Sequence, residues 1–339
     1  MNSNLHETVL SVRNAHTSQK WKNGKRPADK VAFIIVTYNS GKWIKDCLAA
    51  IINQKLSHPV ITIVDNGSKD ETRGIVKRQR IPNLQYLEQP SNLGYGKAAN
   101  IGIRLALESG AEYIAVMNPD IQLRDNAIDE MIRIHSGDDT LCPLTPLHTS
   151  YNADRIEPCA LWFLRLSKKF SNDIVRSSPL SHYYATPFIN GAFMLFSRAF
   201  LLKVGAFDEM FFFYGEDNDL CRRSRLFGYS PCVVLTAHAF HWHGTENAIS
   251  VFRKRQSYIG GYRYTLKEPS RPFMVNILLA VLNLFRYLFR EISSARIMPL
   301  LLKDFIHTIT DIGSIHRSRR HDIAKLKNLR DHHNDIRKA

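Results

Sequence analysis

The sequence predicts an α/β fold, a mostly parallel central sheet flanked by helices, and three observations support it. Short β-branched apolar runs alternate with helix-spaced segments through the first 120 or so residues. Each run stops at a cluster of polar, turn-forming residues. The 339-residue chain is 44% apolar and 23% charged, which suits a globular body with a sizeable core.

Residues 1–29 are polar and end near Pro27, so a flexible arm is expected there. "VAFIIVT" (31–37) reads as a strand covered on both faces, "YNSG" as a turn, and "KWIKDCLAAIINQ" as a helix. "VITIVD" (60–65) is a second strand, stopped by "NGSKD". Asp70 can cap the helix that follows. "LQYLEQ" is a third strand, and "NLGYGKAANIGIRLALESG" is a glycine-opened loop entering a helix that Gly110 can stop. "YIAVMN" is the fourth strand. Four strands alternating with three helices imply a parallel sheet, in which ligands bind beyond the carboxyl ends of the strands. After about residue 140 the alternation fades, though "GAFMLFSR" and "PCVVL" still read as strands. From Pro272 to about Ile312 the pattern is helical and amphipathic, and a cationic tail follows from Gly313. The expected organisation is a sheet domain over 30–265, with halves 30–123 and 124–265, and a basic helical region over 266–339.

The polar clusters carry the chemistry. Thr37 and Asn39 end one strand and Asp65 ends the next, where a carboxylate can accept hydrogen bonds from a base or a sugar. A turn-forming Asp before Asn-Gly is the plainer reading of Asp65. Gly94 and Gly96 let the backbone approach a ligand, but the loop lacks the GxGxxG spacing of a dinucleotide oxidoreductase. Asn118 and Asp120, two apart on an extended segment, would face one site and offer oxygen ligands to Mg²⁺ or Mn²⁺. "GEDNDL" supplies Glu216, Asp217 and Asp219, which can cap a helix or provide a general base. Neighbouring carboxylates raise one another's pKa. "HAFHWHG" places His241 and His243 on one face if extended, so that either could complete a metal shell.

The net charge of +15 favours an anionic partner. Nucleic acid is not that partner, because the tail does not interleave aromatic with basic residues. Five cysteines without a CxxC pair argue against a disulfide framework or zinc ribbon and suit a reducing compartment. The N-terminus shows no apolar signal segment, and no run reaches eighteen uninterrupted apolar residues, so no ordinary spanning helix is expected.

Seven motifs, "FIIVTYNSGKWIKDCLAAIINQ", "IVDNGSKDET", "NLGYGKAANIGI", "YIAVMNPDI", "GAFMLFSR", "VGAFDEMFFFYGEDNDLCRR" and "HWHG", occur in an order that resembles the inverting family-two glycosyltransferases of the GT-A fold, nearest their bacterial rhamnosyltransferase-like branch. The resemblance covers roughly 30–260. It implies that Thr37, Asn39, Asp65, Asn92, Gly94, Lys97, Asn118 and Asp120 hold a nucleotide-diphosphate sugar, dTDP- or UDP-linked. It implies a divalent cation, Mn²⁺ or Mg²⁺, at Asp120 with Asn118 and His241, and Asp217 as the catalytic base. Gly191, Glu216, Arg253 and Arg255 would line the acceptor or diphosphate side. Asn118 departs from the family's Asp-x-Asp motif, which removes one negative charge and should weaken metal affinity. The implied function is transfer of a sugar, rhamnose as first candidate, to a glycan or polyprenyl-diphosphate-linked acceptor in bacterial surface polysaccharide biosynthesis. The implied place is the cytoplasm, peripheral to an anionic inner-membrane face, with a homo-oligomer as a further option. The alternative is a non-catalytic sugar-nucleotide-binding or scaffold protein on the same fold.

Overall fold

The computed structural model of the chain describes residues 9–10, 12, 30–54, 56–57, 59–150, 155–242, 250–292, 294 and 297–336, the last seven as backbone. The expected arm therefore lies almost wholly outside the described residues, as do His243, Arg296 and the tail's Arg337 and Lys338. The chain divides into two compact units, one of residues 1–207 and 220–244, the other of 208–219 and 245–339.

The first unit is built on one nine-stranded sheet. Its strands are β1 (Val31–Thr37), β2 (Val60–Asp65), β3 (Leu84–Glu88), β4 (Tyr113–Met117), β5 (Ile121–Leu123), β6 (Leu141–Thr149), β7 (Tyr183–Ala185), β8 (Phe193–Ser197) and β9 (Ser230–His241). The spatial order is β3-β2-β1-β4-β8-β6-β9-β5, with β7 also on β9. The first four strands are parallel, as the alternation predicts. The second half is not: β8 runs antiparallel to β4 and β6, and β5 and β7 run antiparallel to β9, with only β6–β9 parallel. The sheet is thus mixed, and the expectation of a mostly parallel one is corrected. The first four strands are linked by helical crossovers, which force parallel pairing; beyond β4 some links are short, such as the turn into β5.

Helices α1 (Ile44–Ile52), α2 (Thr72–Arg78), α3 (Tyr95–Glu108) and α4 (Ala127–Gly137) are packed around this sheet. Residues buried on α1 and α4 join alternate side chains of β1, β2 and β4 in one core. On α3, Gly102 lies so close to β1 that an added Cβ would collide with Ile34. Helix α3 ends at Glu108 with Ser109 as its cap residue, and Gly110 follows at φ 78°, the expected glycine stop. Asp70 accepts from the Thr72 amide at 3.0 Å, the expected cap of α2. Three short helices follow: α5 (Pro158–Arg165), α6 (Lys168–Val175) and α7 (Arg198–Val204). Helix α8 (Glu216–Leu226) begins in the second unit and ends in the first.

The second unit is helical: α9 (Val251–Leu266), α10 (Phe273–Arg290), α11 (Met298–Thr310) and α12 (Ile312–Ile336). Helix α9, which the sequence reading places with the sheet domain, belongs here. Tyr258, Tyr262 and Leu266 of α9 pack with Ala280 and Leu284 of α10 and Leu301 and Phe305 of α11. By length and composition α10 is apolar enough to cross a membrane. Its apolar run is not continuous, because Asn276, Asn283 and Arg286 break it.

Candidate functional site

The parallel strands end along one edge of the first unit, and their exit loops are stitched together there. In register, Thr37 stands opposite Asp65. The Thr37 hydroxyl donates to Asp65 Oδ1 at 2.7 Å, Ser68 Oγ donates to the same oxygen at 2.5 Å, and the Ser68 amide donates to Oδ2 at 3.1 Å. Thr37 is fully buried and Asp65 only 1% exposed. Asp65 is therefore first a clasp between two loops. Asn39 takes the left-handed backbone at φ 52°. Its amide donates to Ser68 Oγ at 2.8 Å and its Oδ1 accepts from the Lys69 amide at 2.8 Å. Asn66 extends the stitching, donating to Gly94 O at 3.3 Å and accepting from the Leu93 amide at 3.3 Å.

Asn92 folds back to accept from the Gly94 amide at 2.9 Å, and Gly94 at φ 87° opens α3. Lys97, in the first turn of α3, is exposed. The Tyr95 hydroxyl donates to Gly191 O at 2.8 Å, which brings Gly191 to this edge. Lys42 Nζ lies 5.5 Å from the Trp43 ring centre and 5.0 Å from that of Trp242, a stacked cation that the sequence reading missed.

Asn118, Pro119 and Asp120 form a turn between β4 and β5, not the extended segment expected: the Ile121 amide donates to Asn118 O at 3.3 Å. The i, i+2 argument for a shared face does not apply to a turn. What places Asp120 is pairing with β9, where Ile121 stands opposite His241 and the Trp242 amide donates to Asp120 O at 3.0 Å. Asp120 Oδ1 lies 3.7 Å from His241 Nε2. Beneath the turn, Cys47 is fully buried, and burial, followed by the Asp120 charge, pushes its thiol far up.

His241 meets a second carboxylate. Its Nδ1 lies 2.9 Å from Oε1 of Glu157, whose Oε2 lies 3.6 Å from His148 Nδ1. All three are buried. Ligand atoms of His148, Glu157 and His241 fall within 4.8 Å of one another, close enough to share an ion. Neither His148 nor Glu157 stands out in the sequence. The one local sign is Glu157-Pro158 at a helix start, which reads only as a cap.

The fit to a cation rests on Asp120 and His241. Two donors each roughly 2.1–2.2 Å from a shared ion are at most about 4.4 Å apart, and 3.7 Å lies inside that span. A carboxylate with an imidazole is a reasonable donor set for a divalent transition metal.

In the second unit, Glu216 and Asp217 open α8. Tyr214 and Gly215 precede them at φ 67° and 97°. Gly260 packs so tightly under this bend that a Cβ would strike Tyr214 O. Burial, then the charge of Asp217, pushes the Glu216 carboxyl up to about 8. Asp219 is fully buried, 2.8 Å from Lys267 Nζ, and is structural. Arg253 is exposed, and its charge opposes the burial that raises Tyr214. Arg255 instead makes a bidentate pair with Asp304 at 2.6 and 2.8 Å.

The model of Glycosyl transferase family 2 matches residues 32–205. The chain belongs to this family. It is 27% identical over 236 residues to an N-acetylglucosaminyl-diphospho-decaprenol L-rhamnosyltransferase of Mycobacterium tuberculosis, covering 63% of this chain and 76% of that protein. It is 26% identical over 227 residues to a low-salt glycan biosynthesis hexosyltransferase of Haloferax volcanii, covering 62% and 66%. Among solved structures it resembles S. aureus TarS 1–349 in complex with UDP, with a TM-score of 0.51 at 16% identity over 90% of this chain and 91% of that one. It also resembles the Pyrobaculum calidifontis mannosyltransferase PcManGT in complex with GDP-Man and Mn²⁺, with a TM-score of 0.52 at 16% identity over 96% and 99%. The fold is the GT-A type, as the motif order implies.

Proposed function

We propose that this family-two protein is an inverting, metal-dependent glycosyltransferase. It moves a sugar, rhamnose first among candidates, from a dTDP- or UDP-linked donor to a lipid-linked glycan at an anionic membrane surface, as part of surface polysaccharide biosynthesis. The observation that carries the reading is the meeting of Asp120 with His241 on the edge where the Thr37–Asp65 clasp orders the neighbouring loops. A lipid-linked acceptor is named in the M. tuberculosis relative, and a nucleotide sugar with Mn²⁺ in the mannosyltransferase neighbour.

In this reading Asn39, Asn92, Gly94 and Lys97 meet the donor, with loops that Thr37 and Asp65 hold in shape. Asp120 and His241, with Asn118 at the head of the turn, hold the cation, and an imidazole in the set favours Mn²⁺ over Mg²⁺. A bound cation would supply positive charge against the departing diphosphate. Asp217 takes the proton of the acceptor hydroxyl. Burial and the charge of Asp217 push the Glu216 carboxyl up to about 8, which leaves Asp217 as the base candidate of the pair. Of the two arginines proposed for the diphosphate, Arg253 remains the candidate, since Arg255 is held by Asp304.

The test is turnover of a nucleotide-sugar panel with Mn²⁺, read as released nucleoside diphosphate. Asp217→Asn should lower kcat by about 10²–10⁴-fold, with donor binding by thermal shift retained. Equal turnover would remove the base assignment. Donor binding without any turnover in the native protein would favour the binding-protein alternative.

A further inference from the structure

We infer that Glu157, backed by His148, is a positioning residue that sets the His241 ring for cation binding beside Asp120. This rests on the metal-dependent reading above. The two nitrogens of His241 face two different carboxylates, Nδ1 at 2.9 Å from Glu157 and Nε2 at 3.7 Å from Asp120. The shorter distance lies within hydrogen-bonding reach and the longer lies beyond it. A carboxylate only accepts, so a neutral ring that bonds Glu157 does so with its hydrogen on Nδ1, which turns the lone pair of Nε2 toward Asp120. A lone pair aimed at a carboxylate oxygen is repulsive, and a cation between them reverses the sign.

Glu157 is built to hold that orientation. It is 3% exposed. Its amide donates to His148 O at 3.0 Å, and its carbonyl accepts from Leu161 in the first turn of α5 at 3.0 Å. Its second carboxylate oxygen faces His148 at 3.6 Å, and His148 Nε2 is 3.3 Å from Thr145 Oγ1. The rings of His148 and His241 meet edge to face, with centres 5.5 Å apart. The β6–β9 register sets His148 opposite Ala239, two residues before His241. With an imidazole beside each oxygen, the carboxylate is held facing His241. Such partners behind a ligating histidine commonly change metal affinity by about 10–100-fold.

The experiment titrates Mn²⁺ into the full-length protein with UDP present. It reads free Mn²⁺ by electron paramagnetic resonance and bound Mn²⁺ by its coupling to histidine nitrogen. Glu157→Leu should weaken Mn²⁺ about 10–100-fold and lose the nitrogen coupling. Glu157→Gln, which keeps a neutral acceptor for Nδ1–H, should recover part of both, and melting curves confirm that each variant is folded. Unchanged affinity and coupling in folded Glu157→Leu overturns the inference while leaving the metal reading intact. Retained Mn²⁺ binding in Asp120→Asn, together with its loss in Glu157→Leu and His148→Phe, places the ion among His148, Glu157 and His241 and also overturns it. A native protein that binds no Mn²⁺ overturns both.

Discussion

Glu216 is 6% exposed and carries a carboxyl pushed up to about 8, first by burial and then by the neighbouring charge of Asp217. The sequence suggests that the carboxylates of "GEDNDL" raise one another, but Asp219 is occupied with Lys267, and burial, which outweighs the charge, has no local signature. The consequence for stability has a definite sign. The folded state holds a proton that the unfolded chain releases near 4.5, so the folded state binds more protons between about 4.5 and 8. The stabilisation is complete below 4.5 and is lost as pH rises through 8. Asp70, Asp208 and Glu291 are shifted down, and their contributions vanish only as pH falls through the acid range. Melting temperatures between pH 5 and 9 should therefore decline in the native protein, with a flatter profile in Glu216→Gln. Parallel profiles would mean that Glu216 is ionised when folded.

At the scale of elements, legibility follows the connections. Strands β1, β2 and β4 are nearly continuous apolar runs buried on both faces, which is why the sequence shows them plainly. Strand β6 is equally buried but reads "LCPLTPLHT", and its two prolines demote it on sequence grounds. Strands β5 and β7, three residues each, are too short to carry a pattern. The Asp120–His241 contact depends on β5 pairing with β9, so the residues are legible in the sequence while the distance is not. The same holds for Lys267, which follows α9 and is 1% exposed. Its Nζ lies 2.7 Å from Asp208, 2.8 Å from Asp219 and 3.2 Å from Asp322. These residues come from three stretches of the second unit and have no shared motif. Removing the cation leaves three carboxylates facing one another in a dry place. Lys267→Met should destabilise by about 3–5 kcal/mol, seen in denaturant unfolding followed by a helix signal. A loss below about 1 kcal/mol would mean that the carboxylates take up protons or water cheaply.

For the molecule as a whole, the proposed anionic membrane partner of the +15 chain has a candidate surface on α10 and α11. One face of α10 packs through Asn276, Ala280 and Leu284, and another leaves Met274, Leu278, Phe285 and Phe289 at 74%, 59%, 62% and 78% exposure. Leu302 and Ile306 of α11 are also exposed. At 100° per residue, Met274, Leu278, Phe285 and Phe289 lie on one stripe about 60° wide, with Arg286 about 60° beyond its edge and Arg290 about 100° beyond. Apolar side chains flanked by cations are what an anionic bilayer surface recognises: the rings enter the acyl boundary while the guanidinium groups meet phosphate. A second copy of the chain would cover the same face without needing the arginines, so charge separates the two occupants. Phosphatidylglycerol vesicles should retain the protein in sedimentation, phosphatidylcholine vesicles should retain less, and added salt should weaken both the contrast and the binding. Phe285→Ser with Phe289→Ser should reduce retention by about tenfold or more, because each ring removes apolar area at roughly 25 cal/mol per Å². Salt-independent dimers in analytical ultracentrifugation, abolished by the same pair of substitutions and accompanied by no vesicle binding, would assign the stripe to an oligomer seam and remove the proposed membrane surface.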